Sequence, residues 1–222
     1  MCGRLALYTP PDELAQWLDA VPRLALAPHY NLAPGLDLAA CRLDNEGQRE
    51  LVALHWGLVP HWSKGPDSRY SMINARADTV EQKPAYREPF RHKRCLIPAD
   101  GFYEWHRTEQ GKQPYYFRLQ QETPLAFAGL WDHWQGEDRS INSATIIVTE
   151  ANDLMRPVHD RMPVILPPET WEQWLDPNQS TTDLKTMLQP YTGTDLICYP
   201  VSKVVNNARN DRADLLQPVE PE

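Results

Sequence analysis

The second residue of the chain combines two groups that could react together. In Met1-Cys2-Gly3-Arg4, loss of the initiator methionine would leave Cys2 with a thiol and a free α-amine on adjacent carbons. Such groups ordinarily have pKa values near ~8.5 and ~8, so each has a reactive fraction at neutral pH. The amine can condense with an aldehyde to a Schiff base, and the thiol can then close on the imine carbon to give a thiazolidine. The alternative is that Cys2 is simply a small buried apolar residue, as most free cysteines are.

A carboxylate between aromatic residues is the second candidate for chemistry. The segment Asp100–Trp105 has the alternation of a strand, which places Phe102 and Glu104 on one face and Tyr103 and Trp105 on the other. A carboxyl group beside apolar rings has a raised pKa, which suits proton transfer. Either face could be the buried one, so the sequence leaves open whether Glu104 faces the interior or solvent.

Two further groups of polar residues could assist. His159 precedes Asp160, which offers an imidazole with a carboxylate neighbour and hence a proton shuttle. Asn74 and Arg76 are two residues apart and point the same way if their segment is extended. An amide can donate to or accept from a reacting group, and a guanidinium can hold a phosphate bidentately. Taken singly, each group is more typical of turn or surface residues.

Short strands, turns and a few helices must position these side chains. A helix is predicted from Thr9-Pro10-Pro11-Asp12, with Thr9 as its cap, and further helical segments are predicted at Tyr86–Lys93, Glu150–Met155, Pro168–Leu175 and Thr182–Leu188. Strands are predicted at Leu5–Tyr8, Leu36–Leu43, Glu50–Trp56, Cys95–Pro98, Phe102–Arg107, Tyr115–Leu119, Leu125–Trp131, Ala144–Thr149, Pro163–Leu166 and Leu196–Val204. Asn31–Gly35 is predicted to be a loop. No linker or repeat divides the chain, so we expect one α+β domain over residues 1–222, with a core at about 2–204 and a polar tail.

The charge and the cysteine spacing limit the classes of protein to which the chain can belong. The formal charge of −8 excludes a protein that coats duplex DNA nonspecifically. The segment from His61 to Arg107, however, contains nine Lys or Arg and six Asp or Glu. This basic middle is compatible with the binding of a small anion or a short nucleic acid. The four cysteines lie far apart, which favours a protein without metal or other cofactors. With no signal peptide and no apolar run of membrane-spanning length, we expect a cytoplasmic protein without membrane contact.

The order and wording of six motifs add a resemblance. They are Met1-Cys2-Gly3-Arg4, Tyr30-Asn31-Leu32-Ala33-Pro34-Gly35, Trp56-Gly57-Leu58-Val59-Pro60, Asn74-Ala75-Arg76-Ala77, Arg94–Trp105 and His159-Asp160-Arg161-Met162-Pro163. Together they resemble the SRAP (SOS response-associated peptidase) family from Cys2 to about Val204. The resemblance implies a single α+β domain with a mostly antiparallel, β-barrel-like core and short peripheral helices. It also implies that the N-terminus lies in a cleft for single-stranded DNA.

The resemblance further implies covalent capture of abasic sites in single-stranded DNA, because the ring-opened abasic sugar is an aldehyde. Cys2 would be the nucleophile, Glu104 would transfer protons, His159 would hold or protonate the sugar hydroxyl, and Asn74 would position the N-terminal residue. The residues implied to contact DNA are Arg4, Trp62, Arg76, Trp105 and Arg161. The same site could reverse the crosslink or cleave the strand as a lyase. The name peptidase could refer only to self-removal of Met1, and a monomer is expected.

Two other classes of function stay open from the sequence. Met-Cys-Gly also begins the glutamine amidotransferases that use an N-terminal cysteine, and such an enzyme would release ammonia from glutamine. The basic middle and the tryptophans could instead form a module that binds single-stranded DNA without a covalent step. In that case salt-sensitive binding would survive replacement of Cys2.

Overall fold

The computed structural model describes residues 2–67, 72–109 and 111–220. Its four α-helices are α1 Pro11–Leu18, α2 Pro84–His92, α3 Trp171–Leu175 and α4 Thr181–Thr186, and short 3₁₀ helices cover Pro168–Thr170, Lys203–Asn206 and Ala213–Leu216. Its strands are β1 Leu5–Leu7, β2 Val21–Pro22, β3 His29–Leu32, β4 Asp37–Leu43, β5 Arg49–Trp56, β6 Asn74–Arg76, β7 Arg94–Ala99, β8 Gly101–Thr108, β9 Gly111–Leu119, β10 Leu125–Gln135, β11 Ser140–Glu150, β12 Arg161–Pro163 and β13 Leu196–Pro200.

Five of the strands close into a barrel. Strands β11, β10, β7, β4 and β5 follow one another by antiparallel pairing, and β5 then pairs with β11 in parallel, with Ser143 opposite His55 and Ala144 opposite Trp56. Closure leaves no open edge along this ring. The fold is therefore a single α+β domain with a closed five-stranded barrel and a few short helices, as the resemblance implied.

Beyond the barrel, two short strands pair with the C-terminal end of β11. Strand β6 runs parallel to it, with Asn74 opposite Ile146 and Arg76 opposite Val148. Strand β12 runs antiparallel on the other side, with Arg161 opposite Glu150. One strand end thus collects residues that are far apart in sequence.

A second sheet, in the order β13-β9-β8-β1-β3, holds the N-terminus. Strand β1 lies between β8 and β3, with Leu5 opposite both Phe102 and Leu32. Gly101 opens β8 where the chain is crowded, since a Cβ there would lie 2.5 Å from the Phe117 carbonyl oxygen. Only glycine allows β8 and β9 to approach so closely at this position.

Alternate residues of the barrel strands belong to two different cores. Along β4, Leu38 and Ala40 pack with β1, β8 and β9 of the second sheet, whereas Ala39 and Cys41 pack with the tryptophans of α3. Strand β7 is buried along its whole length for the same reason. In the core shared with the second sheet, the Phe102 ring stacks on Phe117 with centroids 5.0 Å apart. Such a pair contributes about 0.5–1.5 kcal/mol beyond its buried area.

Most predicted elements are present with shifted ends, such as β12, which shares only Pro163 with the strand predicted at Pro163–Leu166. Three further predictions of local structure were wrong. Thr9 does not cap α1: the helix begins at Pro11 after Pro10, and Thr9 hydrogen-bonds the Asp100 carboxylate instead. The segment predicted as a loop at Asn31–Gly35 begins inside β3, because Asn31 and Leu32 pair with β1. The predicted helical turn at Glu150–Met155 is a series of turns after β11.

The segment after Val204 packs on the second sheet. Val205 and Leu215 are buried against Tyr103 and Tyr116, and Val201 bridges Pro218. Asp211 accepts hydrogen bonds from the backbone N–H groups of Tyr30 and Asn31. The polar segment predicted as a tail therefore covers one face of β8.

Candidate active site beside the N-terminus

Cys2 lies in the interior, directly before β1. The backbone nitrogen of Tyr103 donates to the Arg4 carbonyl at 3.0 Å, so the N-terminal residues run alongside β8. The Cys2 side chain has no exposed surface and packs in the same core as Phe102. Burial raises the pKa of the Cys2 thiol well above its usual range, and the nearby Glu104 carboxylate raises it further.

Glu104 is the carboxylate next to this thiol. It lies on β8 opposite Tyr115 and is 2% exposed. Burial raises its pKa, and the nearby His159 partly opposes that shift. Both faces of β8 are buried here, because Tyr103 on the face opposite Glu104 is also fully buried.

Strand β6 presents Asn74 and Arg76 on one face, as expected for an extended segment. Ala75 between them is fully buried. The Asn74 amide nitrogen donates to the Ile73 carbonyl at 3.0 Å. Its Oδ1 atom is buried and has no hydrogen-bond partner among the residues that the structure describes. A buried acceptor without a donor is costly, so this oxygen is available to an incoming N–H group.

His159 and Arg161 come from the other side of the same strand end, at the start of β12. The Nδ1 atom of His159 accepts from the Arg161 backbone N–H at 3.0 Å and lies 2.9 Å from an Asp160 oxygen. In the neutral form in which Nδ1 accepts from Arg161, the ring carries its hydrogen on Nε2. In a form with a hydrogen on Nδ1, that hydrogen is donated to the Asp160 carboxylate. The carboxylate neighbour predicted for His159 is thus in contact with it.

A surface pocket of about 500 Å³ adjoins these groups. Its lining takes in Glu104, His159, Arg4, Trp105, Arg107, Lys112 and Asn206. The structure therefore places Glu104 and His159 in one pocket, with the buried Cys2 close to the Glu104 carboxylate. Asn74 lies on β6, which pairs with β11.

The residues expected to contact DNA have different surroundings. Arg4 donates to Asn31 Oδ1 at 2.6 Å and to the Val205 carbonyl at 2.9 Å, with its guanidinium 5.6 Å from the Trp105 ring centre. Trp105 donates to Asn206 at 2.6 Å. Both side chains are fixed by the chain itself, so they form the wall of the pocket.

Two of the expected arginines share one carboxylate. Arg76 forms a two-point ion pair with Asp78, at 2.5 and 3.1 Å, and Arg161 lies 4.0 Å from the same carboxylate. The pKa of Asp78 is lowered, chiefly by its hydrogen bond from Arg76. Part of the positive charge expected at this position is therefore already neutralised.

Trp62 stands apart from the pocket. Its side chain is 58% exposed and lines a second concavity of about 640 Å³ with Pro60, Lys64 and Met72. The preceding residue is anchored, since Asp132 accepts from the His61 backbone at 2.8 Å and lies 2.9 Å from its ring nitrogen. An exposed tryptophan on an anchored loop is suited to stacking on a base.

Sequence reasoning missed three residues that shape the site. Asn31 is 1% exposed and ties Arg4 to the backbone of residues 205–210, and Asp78 links Arg76 with Arg161. Asn206 holds the Trp105 ring. Asn31 lies in one of the six motifs and Asp78 directly follows another, so both positions could have been found from the sequence. Asn206 carried none, because its contact depends on how the C-terminal segment folds back.

A family model described as SOS response associated peptidase (SRAP) matches residues 1–208. The chain therefore belongs to the SRAP family. It is 41% identical to "Abasic site processing protein YoaM" of Bacillus subtilis, over 97% of each chain. It is 32% identical to "Abasic site processing protein HMCES" of Xenopus tropicalis, over 97% of this chain and 78% of that one.

Solved structures share the fold. A protein from Bacteroides thetaiotaomicron superposes with a TM-score of 0.89 at 25% identity, covering 99% of this chain and 100% of the other. A phage-related protein from Bordetella bronchiseptica gives 0.74 at 33% identity, covering 91% and 95%.

Two kinds of feature are absent from the described residues. No helix among them is long and apolar enough to cross a membrane. Within the same ranges, no three or more His, Cys, Asp or Glu side chains are placed to hold a metal ion.

Proposed function

We propose that this protein processes abasic sites in single-stranded DNA by forming a covalent bond through Cys2 after Met1 is removed. The observation that carries the proposal is the position of Cys2: a residue that can become an N-terminal aminothiol lies beside a buried carboxylate. Relatives named as abasic site processing proteins support the choice of aldehyde. The protein acts as a cytoplasmic monomer on chromosomal DNA, without a cofactor.

The reaction is a condensation in two steps. The α-amine of Cys2 adds to the C1′ aldehyde of the ring-opened sugar, and loss of one water gives an imine. The thiol then adds to the imine carbon, its proton passes to the nitrogen, and a thiazolidine results. Because burial keeps the thiol neutral, the second step needs a base close to the sulfur. Glu104 is the carboxylate at that position.

His159 and Asn74 take the remaining roles. With its hydrogen on Nε2, His159 donates to the ring oxygen of the sugar as the aldehyde forms. The open Oδ1 acceptor of Asn74 receives an N–H of the new N-terminal amine and holds it for attack. Strand cleavage by elimination from the imine, reversal of the crosslink and self-removal of Met1 would use the same groups.

The test compares a free with a blocked N-terminus. Protein that has lost Met1 is incubated with single-stranded DNA from which uracil has been excised, and the products are separated under denaturing conditions. We expect a shifted band for the free protein and none when an extra residue precedes Cys2. Equal crosslinking by the blocked protein would refute the mechanism.

Two variants sharpen the test. Cys2→Ser lacks the thiol for ring closure, so its adduct should appear only after borohydride reduction of the imine. Cys198→Ser is the matched control, because Cys198 lies on β13 in the second sheet. This variant should crosslink normally. Ammonia release from glutamine without a DNA adduct would instead favour the amidotransferase alternative.

A further inference from the structure

The β8–β9 hairpin places two positive charges opposite each other. In the antiparallel register, Arg107 is paired directly with Lys112. Side chains at directly opposite positions start about 5 Å apart on the same face, and like charges there destabilise the sheet. Both residues are exposed. An arrangement of this kind needs an anion, or it costs stability.

No anionic group among the described residues supplies that compensation. Within residues 2–67, 72–109 and 111–220, neither the Arg107 nor the Lys112 side chain forms an ion pair or hydrogen bond. The contrast with Arg76 and Arg161 is clear, since those two share the Asp78 carboxylate. The charges of Arg107 and Lys112 are not offset in this way.

The pair also borders the candidate active site. Arg107 and Lys112 line the pocket of about 500 Å³ that contains Glu104 and His159. Arg107 shares the face of β8 with Trp105, whereas Glu104 points to the other face, so the pocket takes in residues of both faces. Arg4, the other arginine of the lining, is held by Asn31 and Val205.

We infer that Arg107 and Lys112 together bind one backbone phosphate of the DNA strand, close to the abasic sugar held at Glu104 and His159. A guanidinium can donate two parallel hydrogen bonds to a phosphodiester, and an ammonium on the facing strand adds a mobile charge. This inference rests on the proposed function and adds to it a phosphate site that sets the course of the strand past the lesion.

The experiment measures noncovalent binding, so that it does not depend on the crosslink. Single-stranded DNA carrying tetrahydrofuran, an abasic analogue with no aldehyde, is titrated with wild type and with the double variant Arg107→Gln/Lys112→Gln at several salt concentrations. We expect binding at least about tenfold weaker for the variant. Its slope of log K against log salt should be smaller by about 0.7, the value for one phosphate of a single strand.

A matched control and a phosphate scan localise the effect. Arg23→Gln/Arg139→Gln removes the same charge from exposed positions outside the pocket lining and should leave the slope unchanged. Oligonucleotides with one neutral methylphosphonate linkage are then compared in turn. At one linkage near the lesion, wild type should lose about tenfold in affinity, whereas the double variant should lose nothing.

Two outcomes distinguish a failure of the phosphate site from a failure of the proposed function. If wild type crosslinks to abasic DNA but the double variant keeps the wild-type salt slope, the phosphate site is wrong and the capture mechanism stands. If no protein crosslinks but the slope and the linkage scan change as expected, the phosphate site is right and the covalent mechanism is wrong.

Discussion

At the scale of single residues, burial sets the protonation of the two groups to which the proposed mechanism assigns the chemistry. The Cys2 thiol and the Glu104 carboxyl are almost fully enclosed, and burial raises the pKa of each. The thiol is therefore neutral at pH 7, and reactivity cannot come from a preformed thiolate. The mechanism requires that Glu104 be ionised when it accepts the thiol proton, which makes its raised pKa visible in the pH dependence.

The first prediction concerns that pH dependence. As the pH falls through the pKa of Glu104, which lies above its ordinary value of 4.5, the base is lost and the rate of crosslinking should fall. Glu104→Gln should react about 100-fold more slowly and lack this acidic limb, because the contribution of a general base has that size. Rates are measured by quenched time courses across the pH range. Glu137→Gln, at an exposed position, is the control, and an unchanged limb in Glu104→Gln would contradict the role.

What the sequence could predict of these residues depended on the range of their contacts. The alternation of Phe102 and Glu104 against Tyr103 and Trp105 followed from the strand pattern alone. Which face is buried could not follow, because the segment with Val205 and Leu215 covers the second face from more than 90 positions away. The chemistry open to Cys2, Asn74 and His159 followed from their residue types, and their particular roles followed from the resemblance. The closeness of Glu104 to Cys2 and to His159 comes from the structure.

At the scale of elements, the C-terminal end of β11 and the loop that carries Trp62 position the side chains at the surface. Strands β6 and β12 are each three residues long, and they exist because β11 offers pairing on both sides. Strands β6 and β3 were not predicted, because so short a polar run carries no periodic pattern and its pairing is long-range. The β4–β5 hairpin was predicted with small errors at its ends, whereas β9, β10 and β11 are each at least four residues longer than predicted.

The second prediction tests the loop that carries Trp62. Trp62→Ala should weaken binding to single-stranded tetrahydrofuran DNA by about 1–3 kcal/mol, the contribution of one base stacked on an aromatic ring. Thermal stability should change by less than about 0.5 kcal/mol, because the ring is 58% exposed. Leu36→Ala, which truncates another exposed apolar residue, should bind normally in the same fluorescence anisotropy assay. Unchanged binding by Trp62→Ala would show that the ring does not touch DNA.

At the scale of the whole molecule, a buried carboxylate links stability to pH. Asp132 is fully buried, and its oxygens accept from Lys93 at 2.5 Å and from His61. Burial alone would raise its pKa, but these donors outweigh that effect and lower it below the ordinary 3.8. Asp132 therefore stabilises the fold above pH 3.8, and this contribution is lost as the pH falls through its lowered pKa.

The third prediction follows from this linkage. Asp132→Asn should lower the free energy of unfolding at pH 7 by about 3 kcal/mol, because Lys93 loses its buried partner. The difference from wild type should shrink as the pH falls below 3.8. Urea denaturation at a series of pH values measures both. Asp138→Asn, at an exposed position, should match wild type throughout, and a pH-independent deficit in Asp132→Asn would contradict the linkage.

The distribution of charge over the molecule was partly predictable. The sequence predicted a basic middle within a protein of net charge −8. It could not show that Asp78 partly neutralises two of the expected arginines, or that Lys93 is paired with Asp132. The hairpin register that sets Arg107 against Lys112 is likewise a property of the fold. Ion pairs within the fold therefore change which of the basic residues carry uncompensated charge.

The most direct measurement is the intact mass of the adduct between the protein and abasic single-stranded DNA, without borohydride, followed by mapping of the modified peptide. We predict a mass equal to the chain without Met1 plus the DNA minus one water, with the DNA remnant on Cys2. An adduct that retains Met1, or one attached to a lysine, would contradict it.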